Sequence, residues 1–210
     1  MRAVLIVLTV LIVVPGSFAG TSAGEVVEQI VAAVNGRAIF LSDLHRYHTF
    51  FERGGEAEND SEGSPEPLNR LIDHAILYIE AKRFVSQGPS GGEIDQEMDR
   101  IRRYLKGEEA FERRRHQLGI SMEELRALTT EILWVKKLIH ERIDAFVIIL
   151  PKETETFYRT HPKRFSGKAK DEAEALIQKI LYQEKKMTKK LEYLSRLRGK
   201  ASIQRNLPYP

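Results

Sequence analysis

The segment IVAAVNGRAIFLSDL, residues 30–44, constrains the fold more than any other part of this chain. Two runs of apolar and β-branched residues, Ile30 to Val34 and Arg37 to Leu41, flank the pair Asn35-Gly36. That pair tolerates the positive φ angles of a type I′ turn, so the pattern predicts a two-stranded β-hairpin. An isolated hairpin is only marginally stable in water. A third strand or a covering helix must therefore come from elsewhere in the chain.

Helical patterns dominate the remainder of the sequence. Directly after the hairpin, Ser42 can accept a hydrogen bond from an unpaired N–H group of a following helix, and Asp43 sits where the helix dipole favours negative charge. The first helix is therefore expected to begin at about Asp43. Apolar spacing and helix-breaking residues predict helices over about residues 43–52, 65–85, 93–106, 108–118, 121–146 and 170–197, with a short helix beginning at Pro151.

The predicted helix that follows Ser121 has the clearest local signal. Ser121 and Glu124 have the spacing of a capping box, in which two orphan backbone donors are satisfied reciprocally. Most apolar residues of this helix fall within one arc at about 100° per residue, but Leu133, Trp134 and Leu138 fall outside it. A helix that is apolar on more than one side is central to a domain, or its second face is a binding surface.

The C-terminal segment offers the strand that the hairpin needs. Residues 201–205 alternate in a strand-like way around Ile203, after a glycine that ends the last helix. We therefore expect this segment to pair with the hairpin and to tie the two ends of the domain together. The predicted fold class is mainly α, with a small antiparallel sheet formed by the N-terminal hairpin and the C-terminal strand.

The first residues have the pattern of a secretory signal peptide. A basic residue precedes a run over residues 3–14 that is apolar apart from Thr9, and Pro15-Gly16 follows the run. The run is shorter than the roughly 20 residues needed to cross a bilayer, so no stable membrane insertion is expected. Small residues allow cleavage after residue 19, which would make residues 1–19 the signal peptide, or after residue 23. The expected location is the periplasm.

Composition excludes several classes of protein. The chain has no cysteine, so neither a disulfide framework nor a lipoprotein anchor is expected. Its 33 Lys and Arg against 30 Asp and Glu leave too small a basic excess to indicate a nucleic-acid partner. Charge is nevertheless uneven, with an acidic, Gly-rich loop over residues 52–66 and a basic segment over residues 163–200. Both are expected to be solvated, and whether the loop closes over a groove stays open.

Catalytic and metal-binding motifs are incomplete. The segment HERID, residues 140–144, begins like a zinc-protease motif, but Asp144 stands where the second histidine ligand would be. His45 and His48 are three residues apart, yet no neighbouring cysteine or spaced carboxylate pair completes a metal site. Nucleophile elbows, phosphate loops and dinucleotide fingerprints are absent from the sequence. We therefore expect no catalytic residue, no metal and no cofactor.

Large apolar residues are the remaining candidates for function. Tyr47, Phe50 and Phe51 lie near the end of the first predicted helix, just before the acidic loop. They either pack in the core or line an exposed apolar groove, together with Trp134 and Leu138 of the helix that is apolar on two sides. Such grooves bind peptides with little sequence preference. These five residues are the predicted peptide-binding set.

The order of four segments resembles the N-terminal domain of SurA-type periplasmic chaperones, in the family of parvulin-like foldases. The segments are VVEQIVAAVNGRAIFLSDL (26–44), LNRLIDHAILYIEAKR (68–83), GISMEELRALTTEILWVKKLIHERI (119–143) and ILPKETETFYRTHPKRF (149–165). The resemblance implies a chaperone domain over residues 25–165, with the helix and strand of residues 166–210 packed back on it. It also implies an apolar crevice that holds unfolded polypeptides or outer-membrane protein precursors.

The sequence departs from that family at one important place. Family members typically carry a prolyl isomerase domain after the FY...H...F helix, where this chain has only SGKAKDE, residues 166–172. The resemblance therefore implies an ATP-independent holdase without the catalytic module rather than an enzyme. An assembly or scaffold protein that docks one specific periplasmic partner is the alternative, and a homodimer stays open.

Overall fold

The computed structural model describes residues 28–47, 50 and 67–206. The predicted signal peptide, Phe51 and the acidic loop lie outside the described residues. Within those ranges the strands are β1 (Ile30–Val34), β2 (Arg37–Phe40) and β3 (Ile203–Arg205), and the helices are α1 (Leu41–Tyr47), α2 (Pro67–Phe84), α3 (Gly91–Tyr104), α4 (Glu108–Gln117), α5 (Met122–Arg142), α6 (Pro151–Thr160) and α7 (Lys170–Arg198). Short 3₁₀ turns lie at Asp144–Phe146 and Pro162–Phe165.

The sheet joins the two ends of the described chain. Its order is β2-β1-β3, with both pairs antiparallel, so the hairpin gains its third strand from the C-terminal segment. Asn35 and Gly36 have positive φ angles of 49° and 83°, as the hairpin turn requires. Asn35 also fixes β3, because its N–H donates to the Ser202 carbonyl and its Oδ1 accepts from the Ser202 N–H, both at 2.8 Å. The predicted third strand and the predicted fold class are confirmed.

The helices pack around α2 and α5, which contact one another most extensively. One core cluster joins α2 to the sheet, to the C-terminal half of α5 and to α7, and Ile72 and Leu138 are fully buried within it. A second cluster joins α3, α4 and the N-terminal half of α5 around Phe111. A third lies between the Pro162–Phe165 turn and α7 around Ile177. None of the helices in the described ranges is long and apolar enough to cross a membrane.

The start of α1 and the end of α5 differ from the sequence predictions. The first helix begins at Leu41, two residues earlier than expected, because Asp43 rather than Ser42 is the capping group and its Oδ2 accepts the Phe40 N–H at 3.0 Å. Ser42 lies inside the helix, and its hydroxyl donates to Glu28. At the other end of the domain, α5 stops at Arg142 instead of continuing to Phe146, and a 3₁₀ turn follows it.

Capping boxes define the starts of α3 and α5. Glu124 accepts the Ser121 N–H at 2.7 Å while the Ser121 hydroxyl accepts the Glu124 N–H at 3.1 Å, which confirms the predicted box. Ser90 and Glu93 form the same pair of bonds at 2.7 and 3.3 Å. That second box has the same Ser-x-x-Glu spacing. It was not predicted, because Ser90 lies in a segment whose glycines and proline indicate a break between helices.

Candidate functional site

The four predicted peptide-binding residues that the structure describes do not form one groove. Phe50 and Leu138 are 2% and 0% exposed, so they are core residues and their assignment to an exposed groove is wrong. They belong to different clusters, Phe50 to the one around Phe111 and Leu138 to the one beneath the sheet. The second apolar side of α5 is explained by burial, because α5 is packed by other helices on more than one side. Phe51 lies outside the described residues.

Tyr47 and Trp134 are partly buried and serve packing. The Tyr47 ring lies 5.0 Å from the imidazole of His74. Trp134 packs against the loop before α3, where a Cβ placed on Gly88 would come within 2.6 Å of its ring. The Lys82 ammonium group lies 4.4 Å from the centroid of the same ring, a cation–π contact between α2 and α5. Trp134 therefore joins α2, α5 and the loop that contains Gly88.

A different set of apolar side chains is exposed. Phe146, Ile148 and Leu150 are 62%, 68% and 55% exposed, and we call these three residues the apolar strip. Phe146 ends the 3₁₀ turn after α5, and Ile148 and Leu150 alternate with less exposed residues in the segment from there to α6, where Val147 packs against the core. Alternation is the pattern of an extended chain with one buried and one solvent-facing side. The strip is thus a continuous row of large apolar side chains on the surface.

Polar contacts from the basic helix α7 hold the strip in place. Lys186 forms an ion pair with Asp144 at 3.0 Å, just before the strip. Lys185 donates to the Ile148 carbonyl at 2.8 Å and to Glu153 at 2.6 Å. The hydrogen bond from Lys185 lowers the pKa of Glu153 below its ordinary value of 4.5. Two lysines of the basic segment therefore anchor the strip along α7.

The sequence contains a signal for the strip. FVIIL, residues 146–150, is a run of five apolar residues that starts at the end of the predicted helix over residues 121–146 and fills the linker before Pro151. A linker has no core of its own in which to bury such a run. Helical periodicity does not reveal the strip, because it identifies apolar stripes on helices and not short extended segments between them.

A cleft of about 190 Å³ lies between β2, α1, α2 and the N-terminal half of α5, and we call it the β2 cleft. Its apolar lining includes Leu71, Ala75 and Leu128. The backbone of β2 runs along one side of it, since Ala38 also lines the cleft. The cleft therefore combines apolar side chains with an edge strand.

Two ion pairs connect the opposite sides of the β2 cleft. Arg37 of β2 donates to both carboxylate oxygens of Glu131 on α5, at 2.8 and 2.9 Å. Arg46 of α1 lies 3.8 Å from Glu124, also on α5. Glu124 and Glu131 are seven residues apart, which corresponds to about 10.5 Å along a helix axis. Each glutamate is thus paired with an arginine, and a third carboxylate in the lining, Asp43, accepts the Phe40 N–H.

His74 is a buried histidine that lines the same cleft. Burial, and then the positive charge of Arg37, lower its pKa from 6.5 to about 3, so the imidazole is neutral at physiological pH. Its Nε2 has no hydrogen-bond partner in the part of the chain that the structure describes. The side chain therefore contributes an uncharged, largely apolar surface to the lining.

Neither the protein-family models nor the curated proteins compared with this chain give a match. Within the described ranges, no group of three or more His, Asp or Glu side chains is arranged to hold a metal ion. The apolar strip and the β2 cleft are therefore the features from which function has to be argued.

Proposed function

We propose that this protein is an exported, ATP-independent holdase of the SurA-like type, which binds non-native polypeptide, including precursors of outer-membrane proteins, through the apolar strip. The observation that carries the proposal is the row of three large apolar side chains, each more than half exposed. Exposed apolar rows of this kind are typical of protein interaction sites.

The energetics of the strip suit reversible capture. Fully burying one large apolar side chain contributes roughly 1.5–3 kcal/mol. Association itself costs about 4–15 kcal/mol in lost freedom of motion. Three side chains that are already partly covered therefore give weak, reversible binding. A chaperone that works by mass action needs such contacts, because it must release its client without ATP.

Other features of the chain support the same proposal. A hairpin completed by a strand from the far end of the domain is the arrangement that the resemblance to SurA-type chaperones implies, and the sheet has this order. The lysine anchors hold the backbone of the strip in place without a client, which limits the backbone entropy lost on binding. The predicted signal peptide would bring the protein to the compartment that outer-membrane precursors cross.

Light scattering tests the proposal. A β-barrel outer-membrane protein unfolded in urea is diluted into buffer with this protein at several-fold molar excess. We expect the wild type to suppress most of the scattering and the double variant Ile148→Ser/Leu150→Ser to suppress little of it. Both substituted side chains are more than half exposed, so the variant should keep the wild-type midpoint of thermal unfolding.

A matched control removes two exposed apolar side chains elsewhere. Tyr104 and Leu191 are 46% and 58% exposed and lie outside the strip, so Tyr104→Ser/Leu191→Ser should suppress scattering like the wild type. Equal loss in both double variants would show that general surface hydrophobicity, and not the strip, is responsible. Absence of suppression by the wild type would overturn the holdase proposal itself.

Export has its own test. Expression of the full chain in a Gram-negative bacterium, followed by cell fractionation and N-terminal sequencing of the product, should give a periplasmic protein that begins after residue 19 or after residue 23. An uncleaved chain in the cytoplasmic fraction would contradict the proposed location.

A further inference from the structure

The strand β1 is the centre of the sheet, and its backbone groups alternate between the two neighbours. Asn35 donates its N–H to Ser202, and the Val31 carbonyl accepts the Asn206 N–H at 3.1 Å, both across the β1/β3 interface. In an antiparallel ladder, successive residues direct their backbone groups to opposite sides. The odd-numbered residues of β1 therefore face β3, and its even-numbered residues face β2.

This alternation fixes which residues of β2 face outward. The register pairs Ala32 with Ile39 and Val34 with Arg37, so these two residues of β2 exchange backbone hydrogen bonds with β1. Ala38 lies between them, and its N–H and carbonyl consequently point away from the sheet. The outer edge of β2 thus has an exposed donor and acceptor at Ala38.

Other groups do not occupy this edge within the described ranges. The Phe40 N–H, the next outward donor along β2, is already taken by Asp43. No hydrogen bond to the Ala38 backbone occurs from any described residue outside the sheet. An unpaired edge strand is a template for pairing with another chain.

The β2 cleft provides room beside this edge. The ion pairs of Glu124 and Glu131 with their arginines are separated by about 10.5 Å, which equals about three residues of extended chain. Because both glutamates are paired with arginines and the Asp43 carboxylate already accepts the Phe40 N–H, the lining favours an uncharged segment. Leu71, Ala75 and Leu128 would contact its apolar side chains.

We infer that the β2 cleft takes an extended, uncharged polypeptide segment as a fourth strand of the sheet, paired with the backbone of Ala38. The inference rests on the proposed function, since the segment is part of a non-native client, but it assigns a second contact besides the apolar strip. Strand addition reads the backbone, which every client shares. It therefore requires an uncharged segment but no particular sequence within it.

Amide hydrogen exchange tests the pairing at single-residue resolution. The probe is a peptide of alternating Val and Thr with a lysine at each end, added to the full-length ¹⁵N-labelled protein. Saturating peptide should slow exchange of the Ala38 N–H by about tenfold or more. The N–H groups of Arg37 and Ile39 should hardly change, because β1 already accepts them. The same peptide N-methylated at its central residues keeps its side chains and should give no protection.

A proline substitution tests the same contact from the protein side. Proline is tolerated on an edge strand where the N–H faces outward, so Ala38→Pro should fold but lack the outward donor. We expect it to bind the peptide about tenfold more weakly, the equivalent of one lost hydrogen bond. Ala38→Val keeps the donor and should bind like the wild type. The exchange experiment on the wild type decides the matter even if Ala38→Pro unfolds.

Each remaining outcome counts against a defined claim. Peptide binding without protection of Ala38, or with full affinity in Ala38→Pro, overturns strand addition and leaves the holdase proposal standing. Protection of Ala38 that rises with protein concentration in the absence of peptide shows that a second copy occupies the edge, and it also overturns the inference. If neither the peptide nor the unfolded outer-membrane protein binds, both proposals are overturned.

Discussion

His74 couples the stability of the folded protein to pH. The imidazole is buried and its pKa is lowered to about 3, whereas an unfolded chain would titrate near the ordinary value of 6.5. The unfolded state therefore binds a proton below pH 6.5 that the native state does not bind. Stability should fall as the pH falls from 6.5 towards 3 and should be restored as the pH rises.

The size of this loss of stability depends on how far the pH lies below 6.5 while it stays above the native pKa of about 3. Each pH unit in this window costs about 1.4 kcal/mol, so the free energy of unfolding should drop by about 2 kcal/mol between pH 7 and pH 5. His74→Leu should remove most of this drop in urea titrations at the two pH values. His116→Gln, at a side chain that is 72% exposed, should leave it intact. An unchanged pH dependence in His74→Leu would contradict this assignment.

Gly88 is required by the neighbouring ring of Trp134. A Cβ at this position would lie 2.6 Å from Cζ2 of the indole, a separation that forces a side chain or the loop to move. Gly88→Ala should therefore lower the free energy of unfolding by about 1–3 kcal/mol and change the fluorescence of Trp134.

Gly92→Ala is the matched control for that substitution. Nothing lies within 4 Å of a Cβ placed there, so Gly92→Ala in the first turn of α3 should be neutral or stabilising by up to about 1 kcal/mol. If both alanine variants have the same stability as the wild type, the contact between Gly88 and Trp134 does not constrain the loop.

At the scale of elements, the turn of the hairpin also holds the C-terminal strand. Asn35→Ala places alanine at a φ of 49°, where its Cβ is strained and no side-chain oxygen supports the turn. The substitution also removes the acceptor of the Ser202 N–H. The combined loss should be about 1–3 kcal/mol in guanidinium unfolding. Asn35→Asp keeps an acceptor oxygen and tolerance of positive φ, so it should lose less. Equal losses of stability in the two variants would show that the turn does not hold β3 through this acceptor.

Local spacing explains why many elements were predictable. The hairpin turn at Asn35-Gly36 and the cap at Ser121 depend on residues that are neighbours in sequence, and the structure confirms both. The end of α5 was not predictable from spacing, because apolar residues continue through Phe146 while the helix stops at Arg142. Periodicity reports which residues are apolar, but only packing decides where a helix can continue.

The candidate site was harder to predict for the same reason. Leu138 and Ile148 are equally apolar in sequence, yet the first is sealed between helices and the second is 68% exposed. Exposure depends on which elements cover a residue, and that is a property of the whole fold. The β2 cleft was equally hidden, since its walls come from segments as distant in sequence as residues 37–39 and 120–131.

At the scale of the whole molecule, the sheet makes one unit of the N-terminal hairpin and the C-terminal helix and strand. β3 is attached by the register with β1 and by Asn35, while α7 packs on both α2 and α6. The apolar strip lies along α7, and the β2 cleft lies beside the hairpin. Under the holdase proposal, a client long enough to reach both would contact side chains at one and backbone groups at the other, and it would be bound without a specific sequence.

The breadth of client binding tests the central claim most directly. Aggregation of several unrelated unfolded proteins, a β-barrel outer-membrane protein among them, should be followed by light scattering at one fixed molar excess of this protein. A holdase that binds exposed apolar side chains and backbone groups should suppress aggregation of all of them to a similar extent. The variant Ile148→Ser/Leu150→Ser should reduce this suppression for every client. Suppression confined to a single client, or to none, would contradict the account.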